Sequence, residues 1–134
     1  MLIILHRILN GRSKEKLSTI NTSSSNNAVY RALKYIDKNY IKLTNVKQIA
    51  TDLSYSEYYL SHIFKEKMEL TMKDYLMQKK IMTAAELLEN SNMSISEIAE
   101  QLHFSSLHSF GTAFKRYMNM SASDYRKSKT TPED

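Results

Sequence analysis

The chain has 134 residues, room for one ordinary domain and an appendage, with 42% hydrophobic and 25% charged residues. It contains no Cys, which excludes disulfide scaffolding, Cys-ligated zinc and thiol nucleophiles. Two Gly and one Pro are too few for the tight turns of antiparallel sheets, and a net charge of +5 makes a polyanion a fitting partner.

Residues 1–10 open on the apolar run Leu2-Ile3-Ile4-Leu5, followed by His6 and Arg7. The run is too short to span a membrane. It also lacks the basic-then-apolar order and small-residue cleavage site of a signal peptide. It reads as the end of a helix from a preceding domain, a plain leader being the alternative. Residues 11–27, GRSKEKLSTINTSSSNN, are rich in Ser, Asn and charge and poor in core formers, the composition of a flexible linker.

From Ala28 the pattern turns helical, and residues 28–128 are expected to form an all-α domain of seven helices, followed by a disordered tail over residues 129–134. Val29, Leu33, Ile36 and Tyr40 recur at helical spacing, predicting a first helix that ends near Asn39. Thr44 or Asn45 can cap a short second helix with Val46, Ile49, Ala50 and Leu53 on its apolar face. A third starts at Ser56 and turns Tyr59, Leu60, Ile63 and Phe64 inward. Thr71 opens a long helix through about Asn90, with Tyr75, Leu76, Ile81, Ala84, Ala85 and Leu88 as its buried stripe. Lys79 and Lys80 on that helix read either as stems packed on the core or as contacts to a nucleic-acid backbone. Ser94, with Glu97 three residues on, forms a capping box for a fifth helix that buries Ile95, Ile98, Ala99 and Leu102. A sixth runs from Ser106 to about Tyr117 with Phe110, Ala113 and Phe114 inward, and a short seventh from Ser121 through Tyr125.

Within this series lies an internal repeat of about 50 residues. The first copy, from Gln48 to Tyr75, reads QIATDLSYSEYYLSHIFKEKMELTMKDY, and the second, from Glu97 to Tyr125, reads EIAEQLHFSSLHSFGTAFKRYMNMSASDY. Ile49-Ala50 matches Ile98-Ala99, Phe64-Lys65 matches Phe114-Lys115, and Asp74-Tyr75 matches Asp124-Tyr125. The second copy carries one extra residue, in its turn or at the start of its second helix. Each copy is a short helix, a turn and a longer helix, with a small residue (Ala50, Ala99) where the two cross. This is the physics of a helix-turn-helix unit, whose second helix presents a polar face to a DNA major groove. Two such units on one linking helix can occupy successive grooves about 34 Å apart. A plain helical bundle is the alternative for either copy taken alone.

From Val29 to Arg126 the residues resemble the AraC/XylS family of bacterial transcription regulators, most closely in SISEIAEQLHFSSLHSFGTAFKRYMNMSASDYR. The resemblance implies two helix-turn-helix subdomains joined by a long linking helix, binding a bipartite site on double-stranded DNA in the cytoplasm, most often to activate transcription through RNA polymerase. It also implies a separate N-terminal sensing or dimerising domain, which residues 1–10 would end and to which any small-molecule effector would belong. The chain departs from the family pattern at His103, Asn119 and Ala122, where Gly, Gly and Pro are usual, and at Thr112, where Arg is usual. His103 is therefore expected in a left-handed conformation.

On the third helix, Tyr58, Ser61 and His62 fall where the family places contacts to base edges. On the sixth the corresponding candidates are Leu107, His108 and Thr112, while Gly111 has no side chain and can only allow close approach of the backbone. Candidate phosphate contacts are Lys65, Lys115 and Arg116, together with the helix N-termini near Thr44 and Ser94. His6, His62, His103 and His108 lack any metal-ligand spacing, and no phosphate loop, nucleophile elbow or paired carboxylates appear, so neither a metal, a cofactor nor catalysis is expected. A helical protein-interaction module without specific DNA binding is the competing reading, with Thr112 in place of Arg as its support.

Overall fold

The computed structural model describes residues 24–130, which form seven α-helices and no strand. They are α1 (Ser24–Asn39), α2 (Val46–Leu53), α3 (Glu57–Met68), α4 (Met72–Asn90), α5 (Ile95–Gln101), α6 (Leu107–Met118) and α7 (Ala122–Thr130). The order and number agree with the periodicity of the sequence, but two ends differ. α1 begins at Ser24, so the last four residues read as linker are helical, and α7 continues past Tyr125 to Thr130. The stub over residues 1–10 and the end of the tail lie outside the described residues. The chain divides after Leu76 into two compact units.

In the first unit α1 packs on both α2 and α3. Ala28, Val29, Ala32, Leu33 and Ile36 of α1 meet Ile49, Ala50, Leu60 and Phe64, with Met72, Tyr75 and Leu76 from the start of α4. Small residues at Ala28, Ala32 and Ala50 allow the close approach, and burial of the larger ones supplies about 1.5–3 kcal/mol per side chain. Tyr59 is not inward: it is 39% exposed and lies against Tyr55, because the core side of α3 is already filled by Leu60, Ile63 and Phe64. In the second unit α5 packs on α6 and α6 on α7, around Ile81, Leu88, Ile98, Leu102, Phe110 and Phe114.

The repeat is visible in the contacts as well as in the letters. Phe64 meets Tyr75 edge-on at 6.0 Å between centroids, and Phe114 meets Tyr125 edge-on at 5.7 Å. The Tyr75 hydroxyl then donates to Asp37 of α1 at 2.7 Å, and the Tyr125 hydroxyl to Glu89 of α4 at 2.8 Å. Burial, together with Glu89, pushes the Tyr125 phenol far above its ordinary range, so it stays a donor. In this register α4 begins as the closing helix of the first unit and ends as the leading helix of the second. Arg126 of α7 completes it by donating to the carbonyls of Leu88 and Ser91 at 3.1 and 3.3 Å.

Nine residues before Asp37 stands Ala28, whereas nine before Glu89 stands Lys80. Lys80 is 2% exposed. Of the two readings of this side chain, packing on the core holds: its ammonium donates to the carbonyl of Leu102 at the end of α5 and lies 5.6 Å from the centre of the Phe104 ring. The cation thereby satisfies a helix-end carbonyl inside the second unit.

Non-glycine residues occupy four left-handed helix ends: Ser54 (φ 64°), Glu69 (φ 64°), His103 (φ 60°) and Asn119 (φ 62°). His103 takes the conformation expected of it. Glu69 has neither the short polar side chain nor the missing Cβ that eases this geometry. The Glu69→Gly variant is expected to be stabilised by about 1 kcal/mol, raising the thermal midpoint by about 4 °C, with Glu69→Ala as the control that brings no gain.

Lys80 gives a second expectation. Burial lowers its pKa from 10.5 to about 8, so it is charged at neutral pH. Above that value the folded chain releases a proton that the unfolded chain still holds, and the stability contributed at this site therefore rises with pH up to the unfolded pKa. Denaturant unfolding of the parent and of Lys80→Met at about pH 7.5 and about pH 9.5 should show the difference between them moving in the parent's favour at the higher pH.

Candidate nucleic-acid interface

Each unit holds its second helix with the same local devices. In the first, Ser54 ends α2 in the left-handed region, the amide of Tyr55 returns to Ala50 O at 2.9 Å, and Ser56 caps α3 by accepting from Tyr59 N at 3.1 Å. In the second, His103 takes the place of Ser54, Phe104 N returns to Ala99 O at 3.0 Å, and Ser106 caps α6 by accepting from Ser109 N at 3.0 Å. The left-handed residue and the cap are two positions apart in the first unit and three in the second, so the extra residue is Ser105 and belongs to the turn. The two second helices are then equal, 12 residues each.

On α3 the three residues expected to read bases share one outward face. Tyr58 is 82% exposed, and its ring stacks on His62 with planes 7° apart and centroids at 6.0 Å. The next residue on that stripe is Glu66, whose carboxylate lies 3.7 Å from His62 Nε2. An i, i+4, i+8 row of aromatic, imidazole and carboxylate results. Sequence reasoning took the first two and missed Glu66, although the four-residue spacing contains it. Beside this row is an open groove of about 550 Å³, to which Ser61 and Lys65 of α3, Val46 at the start of α2 and Met72 and Lys73 of α4 contribute.

On α6 the matching face carries Leu107, His108 and Thr112, all exposed, with Leu107 at 50%. It is shorter in reach than α3, since the positions of Ser61 and His62 hold Gly111 and Thr112. Both helices are basic in the last turn, through Lys65 and Lys67 on α3 and Lys115 and Arg116 on α6. Such charges complement the negative carbonyl end of the helix dipole. Arg116 also lies over the Tyr117 ring at 5.6 Å.

Of the two caps the sequence offers for α2, Asn45 serves, and the helix N-termini differ from each other in charge. α2 is capped by Asn45, which accepts from Gln48 N at 3.0 Å, while Thr44 is exposed beside it. α5 is capped by Ser94 in a complete capping box: Glu97 N donates to its hydroxyl at 3.1 Å and its own amide donates to Glu97 Oε1 at 2.8 Å. These bonds hold the Glu97 carboxyl below its ordinary pKa. The start of α5 therefore already contains an anion, whereas the start of α2 has neutral Gln48 at that position and Lys47 next to it. Among the described residues no three His, Cys, Asp or Glu side chains are grouped to hold a metal, and no helix is long and apolar enough to cross a membrane.

Residues 49–128 match the family model described as a helix-turn-helix domain. The chain is 35% identical over 113 residues to the Msm operon regulatory protein of Streptococcus mutans, covering 83% of this chain but 41% of that protein. It is 30% identical over 109 residues to the probable transcription factor PqrA of Proteus vulgaris, covering 80% of this chain and 89% of PqrA. Among solved structures it is similar to the C-terminal domain of AraT, a response regulator from Geobacillus stearothermophilus. The TM-score is 0.73 at 34% identity, over 83% of this chain and 93% of that one.

Proposed function

Because the chain belongs to the AraC/XylS family of helix-turn-helix regulators, we propose that it reads a bipartite operator, one block through α3 and the other through α6. The domain binds double-stranded DNA through its helix-turn-helix units and regulates transcription. The observation that carries the finer reading is the duplicated unit itself. Each copy leaves a row of side chains on its second helix turned away from the core, with a basic last turn beside it.

In this reading Tyr58 packs on a thymine methyl, while Ser61 and His62 hydrogen-bond base edges. Glu66, 3.7 Å from Nε2, orients the His62 ring. Leu107, His108 and Thr112 read the second block with fewer polar contacts, so α3 supplies most of the discrimination. Lys65, Lys115 and Arg116 contact phosphates, as do the start of α2 at Thr44 and that of α5 at Ser94. The α5 site is the weaker of these, because the Glu97 carboxylate already accepts from Ser94 N and places an anion there. The protein acts in the cytoplasm as an activator that touches RNA polymerase, and it is not an enzyme. The competing reading, a helical interaction module, draws on Thr112 where the family has Arg.

Selection of bound duplexes from a random pool, followed by affinity against salt, tests the proposal. Two enriched blocks are expected; one block would restrict base reading to a single unit, and no enrichment with salt-independent binding would leave the interaction module. Tyr58→Ala combined with His62→Ala should remove sequence preference and leave weak, salt-sensitive binding. Equal losses on selected and random duplexes would count against these two residues as readers. Lys115→Ala should weaken all duplexes alike and reduce the slope of log affinity against log salt by about one unit.

A further inference from the structure

Gly111 lies in the interior of α6, between Leu107 and Met118. Its φ is not positive, so no turn or left-handed geometry calls for glycine there. A Cβ built at this position meets nothing within 4 Å, so no neighbouring helix calls for it either. In a helix interior glycine is weaker than alanine through backbone entropy alone. The fold therefore gives up helix stability at Gly111 and gains no packing in exchange. In the first unit the same position holds Ser61, whose side chain lines the groove beside α3.

A side chain at position 111 would lean back over the preceding turn, toward Leu107 and His108. Without one, a bare strip of helix surface is left next to Leu107, which is 50% exposed and apolar. Of the groups that base pairs present in the major groove, only the 5-methyl of thymine is an apolar projection. We propose that Leu107 and the bare backbone at Gly111 form a notch that seats a thymine methyl, making Gly111 a specificity-determining position of the second unit. This rests on the reading of α6 as a base-reading helix. The carbon surfaces exclude water from the methyl, and the missing Cβ lets the backbone of α6 come closer to the base edge than Ser61 allows at α3.

The test uses the full chain, the duplex selected from the random pool, and the same duplex with each thymine of the second block replaced singly by deoxyuridine. Gly111→Ala should raise the thermal midpoint by about 4 °C and weaken binding of the selected duplex about tenfold. Random duplex should bind as before. One deoxyuridine substitution should weaken the parent protein about fivefold. On that duplex the variant should match the parent to within about threefold, because the clashing methyl is gone. Gly111→Ser should behave like Gly111→Ala in binding. The proposal is overturned if Gly111→Ala raises the midpoint and leaves affinity for the selected duplex unchanged. It is also overturned if the loss persists on every deoxyuridine duplex, or if the second block contains no thymine. Failure of the parent to select any duplex would instead remove the DNA-reading assignment from which the notch is argued.

Discussion

The fold depends on a phenol that must be buried and yet cannot be left without a partner. Tyr75 and Tyr125 are 2% and 5% exposed, and a hydroxyl taken that far from water needs an acceptor. Asp37 and Glu89 provide one in each unit, from the helix that leads the unit in sequence. The same rings stand edge-on to Phe64 of α3 and Phe114 of α6, the second helix of each unit. In each unit one tyrosine thus ties the closing helix to the leading helix by a hydrogen bond and to the unit's second helix by a ring contact. That is why the pairing of FK with a later DY recurs across the two copies, when most other letters between them have changed.

Seen from these closures, the differences between the copies fall where DNA would be. The left-handed helix ends, the serine caps and the return bonds to Ala50 and Ala99 are shared. What differs is the outward face: an exposed Tyr58 and His62 stack with a carboxylate beyond it on α3, against Leu107, His108, Gly111 and Thr112 on α6. The first face is long and able to donate and accept. The second is short and partly apolar. Under the proposed reading, the two half-sites are distinguished by different physics, hydrogen bonding in one and shape with methyl contact in the other.

Much of this was legible in the sequence, because helix boundaries here are set by local chemistry. Asn45, Ser56, Ser94 and Ser106 each accept from a backbone amide three residues on, and periodic apolar residues follow. What was not legible depended on neighbours far along the chain. The helical start at Ser24 lacks apolar periodicity, so composition alone reads it as linker. Tyr59 carries an inward-looking residue type, but the interior beside it is taken by Leu60, Ile63 and Phe64. Lys80 sits in an apolar stripe where a cation looks misplaced until Leu102 O is brought against it by α5. Glu66 acquires its meaning only from the His62 ring beside it. The base-reading and phosphate roles proposed for these faces draw on helix geometry and family membership together.

The non-glycine residues at the four left-handed helix ends have a consequence for the protein's lifetime. At Glu69, whose side chain does nothing to ease that geometry, the chain forgoes on the order of 1 kcal/mol that glycine would return, and a small domain has about 5–15 kcal/mol of net stability in all. With so thin a margin, a ligand that binds only the folded chain shifts the folded fraction appreciably, by RT ln(1 + [L]/Kd). An operator is such a ligand. Where proteases act on the opened chain, a bound operator slows clearance by lowering the opened fraction. A left-handed helix end that holds the margin low thus sharpens the difference in survival between operator-bound and free chain.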